Sequence, residues 1–313
     1  MTPPRVLFAG RATLDVAYSL DQFPAEDTKV FAHALRFAPG GPATNAAITH
    51  ALLGGKAVLM TAVGSGPWAS SVREELARLG IELIDLAAGS NYKFPLTTVL
   101  VNEAGATRTV VNPPQSETEL KRIETWDPAW GEMPRLILTD GFHLAETLPL
   151  LRACGTDGAQ VCLDGGSWKP GTEELASLLS VAICSERFRV PGCAPDPDAS
   201  KEWLAEHGVR MVAITRGAKP ILGWDEGRKF EIEVANIDAV DTLGAGDVLH
   251  GAFCYHFART GEFETALRSA AEIATRSCCE LGIQGWVTAR SDPPRSQKRN
   301  PSTSSGEPLG NPD

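Results

Sequence analysis

Asp241-Thr242-Leu243-Gly244-Ala245-Gly246-Asp247 runs directly into the apolar stretch Val248-Leu249-His250-Gly251-Ala252-Phe253. Two glycines around an alanine let a backbone pass close to a ligand with its amides turned outward, and the run behind them predicts a helix that opens on this turn. The amides of Leu243, Gly244, Ala245 and Gly246 are candidates for an anion hole. Asp247 would fall in the first turn of the helix, where free amides and the helix dipole favour its ionised form. A carboxylate there can take the proton of a hydroxyl held beside a bound phosphate, which is the chemistry of phosphoryl transfer to an alcohol. The same residues also suit a plain helix start with Asp or Thr as N-cap, and Thr242 suits a brace for the turn as well as a ligand contact.

A second motif lies far upstream. Pro39-Gly40-Gly41-Pro42-Ala43-Thr44-Asn45-Ala46-Ala47 is another glycine turn feeding a helix of small residues, which continues through Ile48, Ala51 and Leu52 to a stop at Gly54-Gly55. Together the two segments resemble the paired signatures of the ribokinase-like (PfkB-type) carbohydrate kinases, over about residues 5 to 289. The resemblance implies an α/β fold, a three-layer αβα sandwich with a mostly parallel central sheet and a small β-sheet lid. It implies ATP-dependent phosphorylation of a sugar hydroxyl, with Asp247 as catalytic base and the Gly244-Ala245-Gly246 turn as anion hole. Sugar contacts fall to Asp15, Asp27, Gly41 and Asn45, the Asp21 to Asp27 segment having a ketohexokinase-like form, with Asn112 as a further contact. Carboxylates and an amide suit a polyol because each can satisfy two hydroxyls; read alone, Asp15 and Asp27 are equally solvated loop charges. On the nucleotide side the resemblance implies Arg108 after the lid turn, Thr215 and Gly217 of Thr215-Arg216-Gly217, and Gly244 with Gly246. Ala274 and Gly282 stand in the region that walls the adenine pocket, although small residues there also suit tight helix packing. ATP would bring Mg²⁺, with a monovalent cation such as K⁺ as a further ion, and the lid is where a homodimer would form.

Three positions depart from the family pattern. Cys184-Ser185-Glu186-Arg187-Phe188 stands where many members carry Asn-x-x-Glu, leaving Ser185 and Glu186 as substitutes on the phosphate side. Pro42 replaces a sugar-binding Asn of ketohexokinases, as it does in the sulfofructose kinases. Phe142 stands where an arginine for a sulfonate would be expected. With no second cation cluster visible in the motifs, a neutral ketohexose such as fructose is the expected substrate, with sulfofructose, a sugar phosphate or a nucleoside as alternatives. A catalytically idle sensor on the same fold is the rival from another class.

Composition narrows the field further. A net charge of −10 and a pI near 5.2 argue against nucleic-acid or anionic-membrane surfaces, which need clustered Lys and Arg. No apolar run reaches membrane-spanning length, and the first residues lack a secretion signal, so a cytoplasmic enzyme is expected. The 7 cysteines form no Cys-x-x-Cys pair and the 6 histidines no ligand spacing, so no protein metal site is expected. There is no P-loop and no protein-kinase catalytic loop, and the late glycine turn lacks the third glycine of a dinucleotide fold.

The elements that must position these residues follow from periodicity. Residues 6–9, 57–60, 136–138, 161–163, 181–183 and 211–214 read as short buried parallel strands. Helical patterns near 69–79, 144–154, 171–179 and 197–207 alternate with them. Residues 14–38 and 94–112 break the alternation and read as β-rich lid segments, with a hairpin turning at Asn102-Glu103-Ala104-Gly105. A kinase domain over 1–290 is expected, followed by a Pro-, Ser- and Gly-rich disordered tail over 291–313.

Overall fold

Apolar runs too short for helices and bounded by turns become strands buried on both faces, and all six such runs do so here. The structure is a computed structural model that describes residues 3–105, 107–114, 118–194, 196–280 and 282–285; the expected domain end at 290 and the tail over 291–313 lie outside the described residues. The first half of the chain forms β1 (Arg5–Ala9), β2 (Thr13–Leu20), β3 (Ala34–Gly40), α1 (Pro42–Leu52), β4 (Lys56–Thr61), α2 (Pro67–Arg78), β5 (Glu82–Asp85), β6 (Leu96–Asn102) and β7 (Thr107–Val111). There follow β8 (Leu136–Thr139), α3 (Leu144–Thr156), β9 (Gln160–Gly165), α4 (Thr172–Ala176), β10 (Leu179–Ser185), α5 (Pro197–Glu206) and β11 (Met211–Arg216). The hairpin β12 (Lys219–Asp225) and β13 (Arg228–Ile232) precedes two long helices, α6 (Ala245–Thr260) and α7 (Phe263–Ser277).

The large sheet has 9 strands in the order β13-β12-β11-β10-β9-β8-β1-β4-β5. All its pairings are parallel except those of the β11-β12-β13 edge. Val6, Leu7, Phe8 and Ala9 of β1 are fully buried, as a central strand covered by helices on both faces requires. The result is an αβα sandwich with a large, mostly parallel sheet and a second small one. The small sheet has 4 strands in the order β3-β2-β6-β7, drawn from the two segments that break the alternation.

One helix is shorter than its pattern. The helix expected over 171–179 stops at Ala176, because Leu179 pairs with Val161 of β9 and its burial in the sheet outweighs one more helical turn. Strands β5, β12 and β13 were not among the expected elements.

Helix α6 packs on α1 at a glycine. A Cβ at Gly251 would lie 2.3 Å from the Ala46 carbonyl oxygen and 2.7 Å from Thr49 Cβ, so any side chain there wedges the helices apart. Such overpacking costs about 1–3 kcal/mol, and here it would also separate the two helix starts that carry Asn45 and Asp247.

Candidate active site

Strand order reverses at β1, with β4 on one side and β8 on the other, and ligands of open α/β sheets gather outside the strand ends at such a reversal. Asp140, one residue past β8, closes the floor of this crevice and is 1% exposed. Its carboxylate accepts backbone amides from Arg11 (2.9 Å), Ala43 (3.1 Å) and Phe142 (2.9 Å). Burial pushes Asp140 up to about 6, and the Arg11 amide pulls it back. Two glycines make the closure sterically feasible. A Cβ at Gly10 would fall 2.0 Å from Asp140 Oδ1, and one at Gly41, whose φ is 95°, would fall 2.3 Å from the Arg11 carbonyl oxygen. Gly41 is thus a close-approach residue at the start of α1.

One turn into α1, buried Asn45 donates from Nδ2 to Asp247 Oδ2 at 2.7 Å. This joins the two glycine motifs across the chain. Gly244 caps α6 in the left-handed region at φ 73°, and a Cβ there would meet Ile283 Cγ2 at 2.5 Å. Asp241 fixes the turn, accepting the amides of Leu243 (2.8 Å) and Gly282 (3.0 Å). The expected anion hole needs correcting on this point. The Leu243 amide is committed to Asp241, and the Ala245 amide is directed to the Thr242 carbonyl at 3.4 Å. The amides of Gly244, Gly246 and Asp247, at the start of the helix where no intrahelical acceptor exists, remain for a ligand. Gly246 is exposed and a Cβ there would meet nothing within 4 Å, so the turn opens to space.

Asp247 keeps part of its surface open to solvent, as a group that must meet a substrate requires. Burial, and next the charge of Asp164, push its carboxyl up to about 7, while the Asn45 hydrogen bond pulls the other way. Asp164, in β9, is 5% exposed and its Oδ2 makes no hydrogen bond. His250 lies 3.4 Å from that oxygen, with Nδ1 2.7 Å from the Gly246 carbonyl and Nε2 3.0 Å from that of Ile183. It therefore braces the first turn of α6 against β10 from within the core.

The remaining predicted residues divide. Asp15 accepts the Thr13 hydroxyl at 2.7 Å and sits where a Cβ on Gly40 would be; its carboxyl is raised, first by burial. Asp15 pairs in register with Thr97, whose hydroxyl donates to Asn112 Oδ1 at 3.0 Å, so Asp15 and Asn112 share one part of the small sheet. Asp27 is not brought to them. It is exposed in the loop between β2 and β3, with φ 56°, and no hydrogen bond or ion pair holds it among the described residues. Ser185 and Thr215 are register partners at the ends of β10 and β11, and Gly217, at φ 64°, follows in the next turn. Ala274 lies in the buried face of α7, in the core, and Gly282 is tied to the late glycine turn by Asp241. Arg108 of β7 reaches Thr242, donating from Nη1 at 2.7 Å, and so bridges the small sheet to that turn.

Sequence reasoning missed Asp140 and Asp164, and it missed a pair of cations. Arg11 and Lys169 lie over the Phe142 ring, with Cζ 5.1 Å and Nζ 4.6 Å from its centroid. All three line an open cleft of about 1060 Å³ between the small sheet and the ends of β1, β8 and β9. Asp247 does not line this cleft. The two are neighbours through Asp140, which holds Arg11 and Phe142 on one side and Ala43, two residues before Asn45, on the other.

Comparison with known proteins places the whole fold. Residues 4–143 and 167–289 match the model of the pfkB family carbohydrate kinases. The chain is 23% identical over 309 residues to ketohexokinase of Mus musculus, covering 92% of this chain and 100% of that one. Among solved structures it resembles ribokinase from Thermotoga maritima, with a TM-score of 0.72 at 23% identity over 92% of this chain and 99% of that one. Fructokinase with bound ATP from Xylella fastidiosa gives a TM-score of 0.71 at 20% identity, over 91% of this chain and 94% of that one. Matched by the family model along most of its length, the chain belongs to the pfkB family of carbohydrate kinases.

Proposed function

We propose that this carbohydrate kinase transfers the γ-phosphoryl group of ATP to a hydroxyl of a small sugar of the ketohexose type, with Asp247 as base. The observation that carries the reading is the 2.7 Å contact between Asn45 Nδ2 and Asp247 Oδ2 beside the open amides of Gly246 and Asp247. Asp247 takes the hydroxyl proton as the sugar oxygen bonds to the γ-phosphorus and the bond from that phosphorus to the ADP oxygen breaks. These amides, with that of Gly244, and Arg108 meet the charge on the phosphoryl oxygens, and Asn45 orients both the base and the sugar. Asp15 and Asn112 receive further hydroxyls from the small sheet, which closes over the sugar as a lid and keeps ATP from water. Ser185, Thr215, Gly217 and Gly282 flank the nucleotide.

Among the described residues no group of three or more His, Cys, Asp and Glu could hold a metal by itself. The unbonded Oδ2 of Asp164 and the carboxylate of Glu186 are hard oxygen donors of the kind that share Mg²⁺ with nucleotide phosphates. Mg²⁺ arriving with ATP supplies charge neutralisation on the phosphates. Exposed Val30, Phe31, Leu35, Phe37, Val110 and Val111 on the small sheet and its loop support pairing of two copies through the lid. Free cysteines at all 7 positions support a reducing, cytoplasmic setting.

Phosphorus NMR of the purified protein with Mg-ATP and a panel of ketohexoses and their anionic derivatives tests this reading. A sugar phosphomonoester should appear in equal amount with ADP. ATP left intact with every sugar, or inorganic phosphate formed without an ester, would refute it.

A further inference from the structure

We propose that the sugar carries an anionic group, a carboxylate, phosphate or sulfonate, at the end remote from the accepting hydroxyl, and that Arg11 and Lys169 bind this group across the Phe142 ring. The inference rests on the sugar-kinase reading and narrows its substrate class. In a chain of net charge −10, cations have carboxylates to spare, and Arg5, Arg73, Arg78, Arg228 and Arg268 each face one. Arg11 and Lys169 make no ion pair among the described residues. They come from different strand ends, after β1 and after β9, and converge on one ring. A cation over an aromatic face gains only about 0.5–1 kcal/mol when exposed, and neither of these two has an ion-pair partner among the described residues, so both remain available to an anion.

The nearby carboxylates do not complete it: burial raises Asp15 and Arg11 pulls it back down, and Glu146 lines the same cleft, but neither forms an ion pair with Arg11 or Lys169 among the described residues. Asp140 is sealed in the floor, its oxygens accepting three amides, one of them from Arg11 itself. Both cations are half-buried, and both line the cleft together with Phe142. Lys169 Nζ contacts only Ser167, at 3.2 Å to its carbonyl and 3.4 Å to its hydroxyl, which leaves a donor for a ligand. The Arg11 guanidinium offers a planar fork matched to two oxygens of a carboxylate, phosphate or sulfonate. The location fits a group on the sugar: Asp140 links the Arg11 to Phe142 wall to the α1 start, and α1 carries Asn45 to Asp247. Phe142, standing where an arginine was expected, is therefore a platform for cations supplied by two other strands. A neutral sugar would leave both of them unanswered.

The test compares kcat/KM for fructose, fructose 6-phosphate, 6-deoxy-6-sulfofructose and a hexulosonate, in the wild type and in Arg11→Met and Lys169→Met. One of the three anionic sugars should exceed fructose by more than tenfold and so identify the group. In each Met variant the ratio of the anionic to the neutral sugar should fall at least tenfold, and Lys169→Arg should largely restore it. Fructose as the best substrate, or a ratio unmoved in both Met variants, would overturn the proposal. Thermal shifts with the same sugars and no nucleotide separate the two levels of the argument. If no sugar is phosphorylated yet an anionic sugar raises Tm in the wild type and in neither Met variant, the kinase reading fails and the anion subsite stands. If no anionic sugar binds in a way that depends on these cations, the subsite fails as well.

Discussion

Asp247→Asn should lower kcat by about 10²- to 10⁴-fold while nucleotide binding stays nearly intact, because the amide keeps the shape and an acceptor for Asn45 but cannot take a proton. The same substitution should raise stability at neutral pH. Burial lifts the folded-state carboxyl to about 7 from its ordinary 3.8, so ionising it in the folded protein is unfavourable. With the folded value above the unfolded one, the stabilisation from the protonated form is complete below the unfolded value and is lost as pH rises through the folded one. Asn does not titrate. The Tm of Asp247→Asn should therefore exceed that of the wild type at pH 8, and the difference should shrink toward pH 4. A plain helix-capping role predicts the opposite pair of results, turnover near wild type and a lower Tm, and calorimetry beside a kcat measurement separates the two.

Arg108→Ala is the second large effect, a fall of about 10²-fold in kcat/KM for ATP, the scale on which the loss of one donor to transition-state charge is felt. Its side chain is exposed, and its hydrogen bond to Thr242 joins β7 to the turn proposed to bind the phosphates. Such a contact adds little to folding, so stability should change by no more than a surface substitution usually causes, about 0.5 kcal/mol or less, with a correspondingly small shift in Tm. Equal kinetics in the variant, or a large loss of Tm, would return Arg108 to a surface or structural role.

What the sequence made legible was local. Buried parallel strands announce themselves as short apolar runs, and a glycine turn before small or apolar residues announces a helix start, so the six inner strands and both halves of the Asn45–Asp247 contact could be named in advance. The β12–β13 hairpin was legible in principle. Glu226 and Gly227 both adopt positive φ, 49° and 86°, in a two-residue turn between alternating strands, but charged strand ends hid the pattern. β5 offers only Glu-Leu-Ile-Asp, too short to show a period. Asp140 and Asp164 left no local trace, because what defines them is amides and charges arriving from distant residues; Arg11 and Ala43 are 129 and 97 positions from Asp140. The cation pair was hidden for the same reason, since Arg11, Phe142 and Lys169 meet only when β1, β8 and β9 lie side by side.

The claim that Asp247 is the base is tested most directly by the pH dependence of kcat/KM for sugar-dependent ADP formation, which reports ionisations of the free enzyme. A base whose carboxyl is lifted to about 7 must lose its proton to work, so the wild-type rate should climb with pH and reach half its plateau near 7. Removing the neighbouring negative charge in Asp164→Asn should slide that limb to lower pH whatever the height of the plateau, because the charge of Asp164 is one of the forces raising Asp247. A profile flat from pH 5 to 9 in the wild type, or a limb that Asp164→Asn leaves in place, would contradict the assignment.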